Sequence, residues 1–304
     1  MRPDLETERQ AAMCERRQLE HDRKKIVSKQ IGVCLTYPVI RRNELTSRVA
    51  WILHQIEYDP VPPVDNLKQA IGKWPDFEER KQEKAARMLR SIQKSGWLSG
   101  SQSQMLIING QEANHESYST VSVLSGMLAQ GLKLSKAGVV LHYFCGSNLH
   151  GDTASLTASL LGQLLTLRTG VKLPLSKLVG RTDTDFENCH TLVPLFKQCL
   201  QAQLQETSVF VIMDSVSTYE DRRRVRDLRH LFGELASLAA KCQGDTQLRI
   251  LATSPTQCTY LGTFYDKSGT AVMAAPEVLD SAHHNVNQQA LMRGLSNGAV
   301  AAKS

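Results

Sequence analysis

The chain has 304 residues, enough to bury a substantial core and to hold one large α/β domain with an N-terminal extension. Hydrophobic residues make up 41% and charged residues 22%, ordinary values for a soluble protein, and the net charge of +6 permits acidic partners without requiring them. No run approaches the roughly 20 apolar residues that span a bilayer, and the N-terminus is charged, so we expect a cytoplasmic protein with no membrane partner.

The seven cysteines are spread along the chain and form no C-x-x-C pair. This spacing favours reduced thiols over a disulfide framework. Cys189-His190 and His283-His284 each lack a second spaced pair of ligands, so the sequence predicts no metal centre.

Residues 1–30 have the pattern of a charged helix. Apolar residues recur there every seven positions, at Leu5, Ala12, Leu19 and Ile26. A coiled coil needs two apolar positions in each heptad, and this segment has one. The first interpretation is therefore a solvated helix that packs against the protein through one narrow apolar stripe. Self-association through this helix is the alternative.

Residues 31–100 are interpreted as a helical leader and linker region. A stretch rich in apolar residues and arginine, residues 31–56, is followed by Asp59-Pro-Val-Pro-Pro63, and three prolines in four positions cannot continue a helix. A charged helix is predicted from Asp76 to about Ile92, ending near Gly96-Trp97-Leu98.

From residue 101 to about 280 the pattern alternates between strands and helices. Apolar, β-branched runs predict strands at residues 105–108, 139–145, 209–213 and 248–252, with a weaker fifth at 270–274. Helical patterns lie between them, at residues 117–132, 153–168, 190–204 and 221–241. Repeated β-α units with buried strands predict a doubly wound, mainly parallel five-stranded sheet. Residues 281–304 are interpreted as a final helix that passes into a partly disordered tail.

The first predicted strand runs into a segment with the outline of a phosphate-binding loop, G-x-x-x-x-G-K-[ST]. In such a loop backbone N–H groups cradle the phosphates, the lysine reaches the β and γ oxygens, and the hydroxyl holds Mg²⁺. Gly110 and Ser117 are in register, but His115 takes the second glycine position and Glu116 the lysine position. At ~4 Å and an effective dielectric of ~20, the lost attraction and the added repulsion are each about 4 kcal/mol, so we expect Mg-nucleotide binding to be lost. A plain β-turn-α junction is the alternative interpretation.

The strand predicted at residues 209–213 ends in Asp214, the form of a Walker B element whose aspartate supports Mg²⁺. A strand ending in Asp is common at β-α turns and is not diagnostic alone. Here Asp214 follows Gly110 by about a hundred residues in the same alternating pattern, and both fall at carboxyl ends of strands, where such sheets bind ligands. The pair therefore favours a P-loop-derived fold over an unrelated doubly wound sheet.

Four segments carry a family resemblance. They are Val33 to Leu45 with Trp51-Ile-Leu53; Gly96-Trp97-Leu98 before Met105-Leu-Ile-Ile-Asn-Gly110; Tyr143-Phe-Cys145 with Leu160-Leu-Gly-Gln-Leu-Leu165; and Leu248-Arg-Ile-Leu-Ala-Thr-Ser-Pro255. In order and spacing they resemble the leader and NTPase regions of fungal NACHT-type proteins, a STAND-class, NLR-like group whose NTPase is often labelled nephrocystin-3-like. The resemblance covers most of residues 26–276 and implies a P-loop NTPase-like fold.

The resemblance implies a vestigial nucleotide site. Its positions are Gly110, His115, Glu116, Ser117, Asp214 and Ser254, with Ser117 and Asp214 as vestigial Mg²⁺ ligands. The family's second and third Walker B acids are replaced by Ser215-Val-Ser-Thr218, and its sensor arginine is missing because Pro255 follows Ser254. Phosphoryl transfer depends on positioning and charge stabilisation, so these losses remove most of the catalytic apparatus. Rescue by Glu220 or Asp221 after a loop shift is the alternative.

We therefore expect no enzymatic activity and no cofactor. The first hypothesis is an inactive NACHT/STAND-like protein that acts through protein–protein interaction, as a truncated NLR-like regulator or decoy, with full-length relatives among its partners. The first alternative is a slow or non-hydrolysing ATP/ADP switch that uses Mg²⁺. A weaker alternative is nucleic-acid binding through the basic segment 221–230, but an apolar stripe there, Val225, Leu228, Leu231 and Leu235, indicates a sheet-covering helix with a solvated basic face. Nucleic acid is not expected as a partner.

Overall fold

A computed structural model describes residues 49–112, 118–167, 186, 188–242, 245–259 and 270–274. The chain divides into two compact units, Met1–Ala50 and Trp51–Ser304, and the strands and helices labelled below belong to the second. Several predictions lie outside the described residues: the charged helix 1–30, the leader before residue 49, the loop positions His115, Glu116 and Ser117, and the tail 281–304.

The sheet is built from parallel strands. These are β1 (Gln104–Asn109), β2 (Val139–Phe144), β3 (Val209–Asp214), β4 (Leu248–Ser254) and β5 (Thr270–Ala274). They lie in the order β2-β3-β4-β1-β5, so that β4 separates β1 from β3. All residues of β2, β3 and β4 are buried, which requires cover on both faces because successive side chains point to opposite sides. The predicted α/β fold with a mainly parallel sheet is confirmed.

Six helices surround these strands in the described part of the chain, besides the helical residues 49–55. They are α1 (Val61–Gly72), α2 (Glu79–Lys94), α3 (Thr120–Leu134), α4 (Thr153–Thr166), α5 (Cys189–Gln203) and α6 (Val225–Lys241). Side chains cap three of them, because Ser119, Asp152 and Asn188 accept hydrogen bonds from the first-turn N–H groups of α3, α4 and α5. α6 begins at Val225, four residues later than predicted.

Helix α1 corrects the sequence analysis, which predicts only a break at the proline cluster. Pro60 is the residue before α1, and Pro62 and Pro63 lie in its first turn. Proline is tolerated there because its missing N–H would have no partner within the helix and its fixed φ already suits the helix. The helical residues 49–55 end before the prolines, at a turn where Glu57 has a left-handed φ of 47°, and the prolines begin the next helix.

The hydrophobic core includes α1 and α2 as well as the sheet. Leu67, Trp74 and Met88 from the segments before residue 101 pack in one cluster with Leu106 of β1 and Phe144 of β2. These two helices are therefore part of the same packed body as the sheet.

A buried arginine joins β4 to the end of α2. Arg249 is 1% exposed, and its guanidinium donates to the carbonyl oxygens of Gly96, Trp97 and Gly100. The Trp97 indole in turn donates to the carbonyl of Ile250 at 3.1 Å. Burial lowers the pKa of Arg249 to about 10. The Gly96-Trp97 segment of the family resemblance therefore has a structural role.

Gln163 of α4 pairs with the backbone of the edge strand β2. Its side-chain oxygen accepts from the His142 N–H at 3.1 Å, and its side-chain nitrogen donates to the His142 carbonyl at 2.8 Å. An edge strand otherwise presents unpaired N–H and C=O groups that can recruit another strand. Gln163, which lies within the segment Leu160 to Leu165, therefore pairs the N–H and C=O groups of one residue of this edge strand.

Candidate functional site

Asp214 lies at the carboxyl end of β3 with both carboxylate oxygens occupied. Thr253 Oγ1 of β4 donates to Oδ1 at 2.6 Å, and Ser215 Oγ donates to Oδ2 at 2.8 Å. The residue is 1% exposed, and no ion pair joins it to any lysine, arginine or histidine among the described residues. Burial raises the pKa of Asp214 above its ordinary value, and the hydroxyl hydrogen bonds oppose that rise.

A chain of buried hydroxyls extends from Asp214 to the first turns of α3. Ser122 Oγ lies 3.3 Å from Ser215 Oγ and 2.9 Å from Ser119 Oγ, and Ser125 Oγ lies 3.2 Å from Thr253 Oγ1. The sequence analysis misses this network. Its signal was available, because residues 119, 122 and 125 place serine on one face of an otherwise apolar helix. Side-chain hydroxyls thus donate to both oxygens of the carboxylate.

Gly110 follows β1 and presses against the end of β4. Its N–H donates to the Ser254 carbonyl at 2.7 Å, and the Glu112 N–H donates to the Pro255 carbonyl at 2.7 Å. A Cβ at Gly110 would lie 3.0 Å from both of those carbonyl oxygens, so glycine is required by close approach. The backbone N–H groups of Gly110 and Glu112 are therefore engaged by the chain itself.

Three of the predicted site residues lie on one side of the sheet, at the carboxyl ends of its strands. Gly110, Asp214 and Ser254 end or follow the adjacent strands β1, β3 and β4, as the parallel arrangement requires. His115, Glu116 and Ser117 lie outside the described residues, so the structure assigns them no position.

Two residues that the sequence analysis misses lie beside the loop. Glu112 accepts hydrogen bonds from the Thr120 N–H at the start of α3, and Lys84 Nζ of α2 is 3.9 Å from the Glu112 carboxylate. Lys84 also donates to the Gly110 carbonyl. Lys84 precedes the loop by 26 residues, outside any local motif, so no spacing rule could select it.

Glu220 and Asp221, the two candidates for replacing the lost acids, have structural contacts. Glu220 accepts from the Thr259 N–H at 2.9 Å. Asp221 accepts from the N–H groups of Arg223 and Arg224 and pairs with the Arg224 guanidinium. These bonds tie both carboxylates to neighbouring turns.

The basic segment contains one structural arginine among exposed ones. Arg224 donates to the carbonyls of Leu149, Gly151 and Thr218 and lies over the Tyr219 ring. Arg222, Arg223, Arg226 and Arg229 are exposed, and the predicted apolar stripe is buried at Leu228, Leu231 and Leu235. The segment is therefore the solvated face of a sheet-covering helix.

The described residues contain no helix long and apolar enough to cross a membrane. They also contain no group of three or more His, Cys, Asp or Glu side chains arranged to hold a metal ion.

The parallel sheet and the residues gathered at the ends of β1, β3 and β4 define the class: an α/β protein compatible with a P-loop-like fold. The match to known families is more specific. The model of the family described as Nephrocystin 3, N-terminal, matches residues 76–254, more than half of the chain, and the chain belongs to that family. A comparison with curated proteins finds no match.

Proposed function

We propose that this chain is a catalytically inactive NTPase-fold protein that acts through protein–protein interaction. The observation that carries the proposal is the state of Asp214, which is buried with both carboxylate oxygens bound to hydroxyls of its own chain. Mg²⁺ requires near-ideal octahedral coordination by oxygen at about 2.0–2.1 Å and keeps several of its waters. A magnesium ion at Asp214 would share the carboxylate with Thr253 and Ser215 and would have to bring its waters to a residue that is 1% exposed.

The replaced loop residues support the same conclusion. Glu116 places a carboxylate where the reactive loop needs an ammonium group, and His115 adds a side chain where the loop needs a second glycine. Tight binding of a triphosphate relies on that lysine charge and on the backbone N–H groups. The N–H groups of Gly110 and Glu112 already bind carbonyls.

The finer fold within this proposal is a doubly wound P-loop NTPase. Its support is the strand order β2-β3-β4-β1-β5, in which the loop strand β1 and the Walker B strand β3 are separated by β4. This order brings Gly110, Asp214 and the Thr253-Ser254 end of β4 to the same side of the sheet, at the carboxyl ends of the strands. The finer family assignment, a fungal NACHT/STAND-type, NLR-like domain in the cytoplasm, belongs to the same proposal, and the family match is consistent with its NACHT-like part.

The proposed partners are proteins, with full-length NLR-like relatives first among them. The exposed side chains Arg222, Arg223 and Arg226 offer a positively charged surface on the turn before α6 and its first residues. Such a surface favours an acidic protein partner through electrostatic complementarity. A role as regulator or decoy follows from the inactive site together with the retained fold.

The test is calorimetry of Mg-ATP and Mg-ADP binding to the full chain, beside the double variant His115→Gly with Glu116→Lys. We expect no binding by the wild type at millimolar nucleotide and measurable affinity in the double variant. Adding Asp214→Asn to the double variant is the control, since affinity regained at the original site should fall again. Micromolar binding by the wild type would overturn the proposal in favour of an ATP/ADP switch.

A further inference from the structure

The first turn of α3 is capped by a carboxylate that precedes it in the chain. Both carboxylate oxygens of Glu112 accept from the Thr120 N–H, at 3.1 and 3.3 Å. The first N–H groups of a helix lack intrahelical partners and carry the positive end of the helix dipole, so a carboxylate is stabilised there. In a nucleotide-binding loop the same position at the following helix receives a phosphate.

Lys84 of α2 supplies the counter-charge. Its Nζ lies 3.9 Å from Glu112 Oε1 and donates to the Gly110 carbonyl at 2.5 Å. The side chains of Lys84 and Glu112 are 17% and 14% exposed, so solvent screens their attraction less than that of a surface pair. Burial lowers the pKa of Lys84, and the charge of Glu112 opposes that change. The chain thus brings a lysine to the loop from outside the loop motif.

The cluster therefore combines a helix N-terminus with a half-buried ammonium group. Both groups attract an oxyanion.

Building on the proposed function, we propose that the Glu112 carboxylate is a built-in substitute for phosphate at the start of α3. Lys84 is the cation that holds it, and Lys84 would hold a phosphate or pyrophosphate oxyanion in its place if the carboxylate were removed. The site therefore excludes nucleotide phosphates by occupation, in addition to lacking the loop lysine.

The experiment is anion rescue of thermal stability in the full chain. Melting temperature is measured by calorimetry during a pyrophosphate titration and, at matched ionic strength, a chloride titration. Glu112→Ala should melt about 2–4 °C lower than the wild type, as loss of a helix cap predicts, and pyrophosphate should restore this loss saturably. Wild type should respond to pyrophosphate no more than to chloride.

Two further variants make the result specific. Asp152→Ala removes a carboxylate that caps α4 through Ser155, so it should lose stability without pyrophosphate rescue. Glu112→Ala combined with Lys84→Met should lose the rescue, because the cation is gone. If Glu112→Ala does not fold, Glu112→Gln keeps an acceptor for the Thr120 N–H without the charge, and it should show a smaller saturable response.

Each remaining outcome has a distinct meaning. The inference would be wrong if Glu112 variants responded equally to pyrophosphate and chloride, or if the rescue survived Lys84→Met. Neither result would bear on the proposed inactive fold, which the nucleotide calorimetry tests separately. Saturable pyrophosphate binding by the wild type would refute the claim that the Glu112 carboxylate occupies the site. If the wild type binds nucleotide but its melting temperature does not change with pyrophosphate, the proposed function alone is wrong.

Discussion

His142 should make the protein sensitive to acid. This histidine of β2 is 2% exposed, its Nε2 lies 3.0 Å from the Pro63 carbonyl, and its Nδ1 lies 3.4 Å from Lys133 Nζ. The network assigns the proton to Nε2, which donates to Pro63, and leaves Nδ1 to accept from Lys133. Burial, and next the Lys133 charge, lower the pKa of His142 from 6.5 to about 3.

The sign and size of the effect follow from these two pKa values. Between about pH 6.5 and pH 3 the unfolded chain binds a proton that the folded chain does not, so the free energy of unfolding falls as the pH falls. At 1.36 kcal/mol for each pKa unit, the loss attributable to His142 is about 2 kcal/mol at pH 5 and approaches about 5 kcal/mol below pH 3.

The assay is urea denaturation at about pH 7 and pH 5 for wild type, His142→Gln and the surface control His150→Gln. The stability lost between the two pH values should be about 2 kcal/mol smaller in His142→Gln than in wild type, because glutamine can donate to Pro63 but does not titrate. His150→Gln should match wild type. Equal losses in wild type and His142→Gln would refute the lowered pKa of the buried histidine.

Three further predictions concern the described contacts. Arg249→Met removes a buried donor from the carbonyls of Gly96, Trp97 and Gly100 and should lower the free energy of unfolding by about 3 kcal/mol in urea denaturation, whereas a loss below about 1 kcal/mol would contradict its role. Gln163→Leu removes both side-chain hydrogen bonds to His142 of the edge strand β2, so it should lower the free energy of unfolding by about 1–3 kcal/mol. It should also raise self-association in sedimentation velocity, whereas the exposed control Gln201→Leu should do neither. Asp214→Asn should weaken the loss of stability as the pH rises above the ordinary carboxyl range, because the raised pKa of Asp214 makes the wild type lose stability there and asparagine does not titrate; an unchanged pH dependence in urea denaturation would contradict the raised pKa.

Much of the fold was predictable because its signals are local. Buried parallel strands are continuous apolar runs, and the runs at residues 105–108 and 209–213 lie within β1 and β3. Asp214 and Gly110 were placed at one edge because carboxyl ends of parallel strands share it. Helix α1 was missed because proline breaks a helix interior but suits the first turn of a helix, and the pattern alone does not distinguish the two roles.

The candidate site was less predictable because its contacts join distant segments. The bond from Thr253 to Asp214 links residues 39 apart, and the pair of Lys84 and Glu112 links α2 to the loop. Which hydroxyl reaches which carboxylate depends on strand order and register, and neither is encoded in local spacing. The sequence therefore predicted where Gly110 and Asp214 lie, but the structure was needed to identify the side chains that contact them.

The position of β1 in the sheet also means that, during synthesis, β1 is made long before the strands that pair with it. Both neighbours of β1 come late, since Gln104 pairs with Arg249 and Met105 with Thr270. At roughly 5–20 residues per second a ribosome needs about 7–30 s to add the intervening residues. During that interval β1, an apolar strand that lies between β4 and β5 in the finished sheet, has neither of its strand partners. Nascent chains of this protein should therefore depend on chaperones that bind hydrophobic segments until β4 emerges.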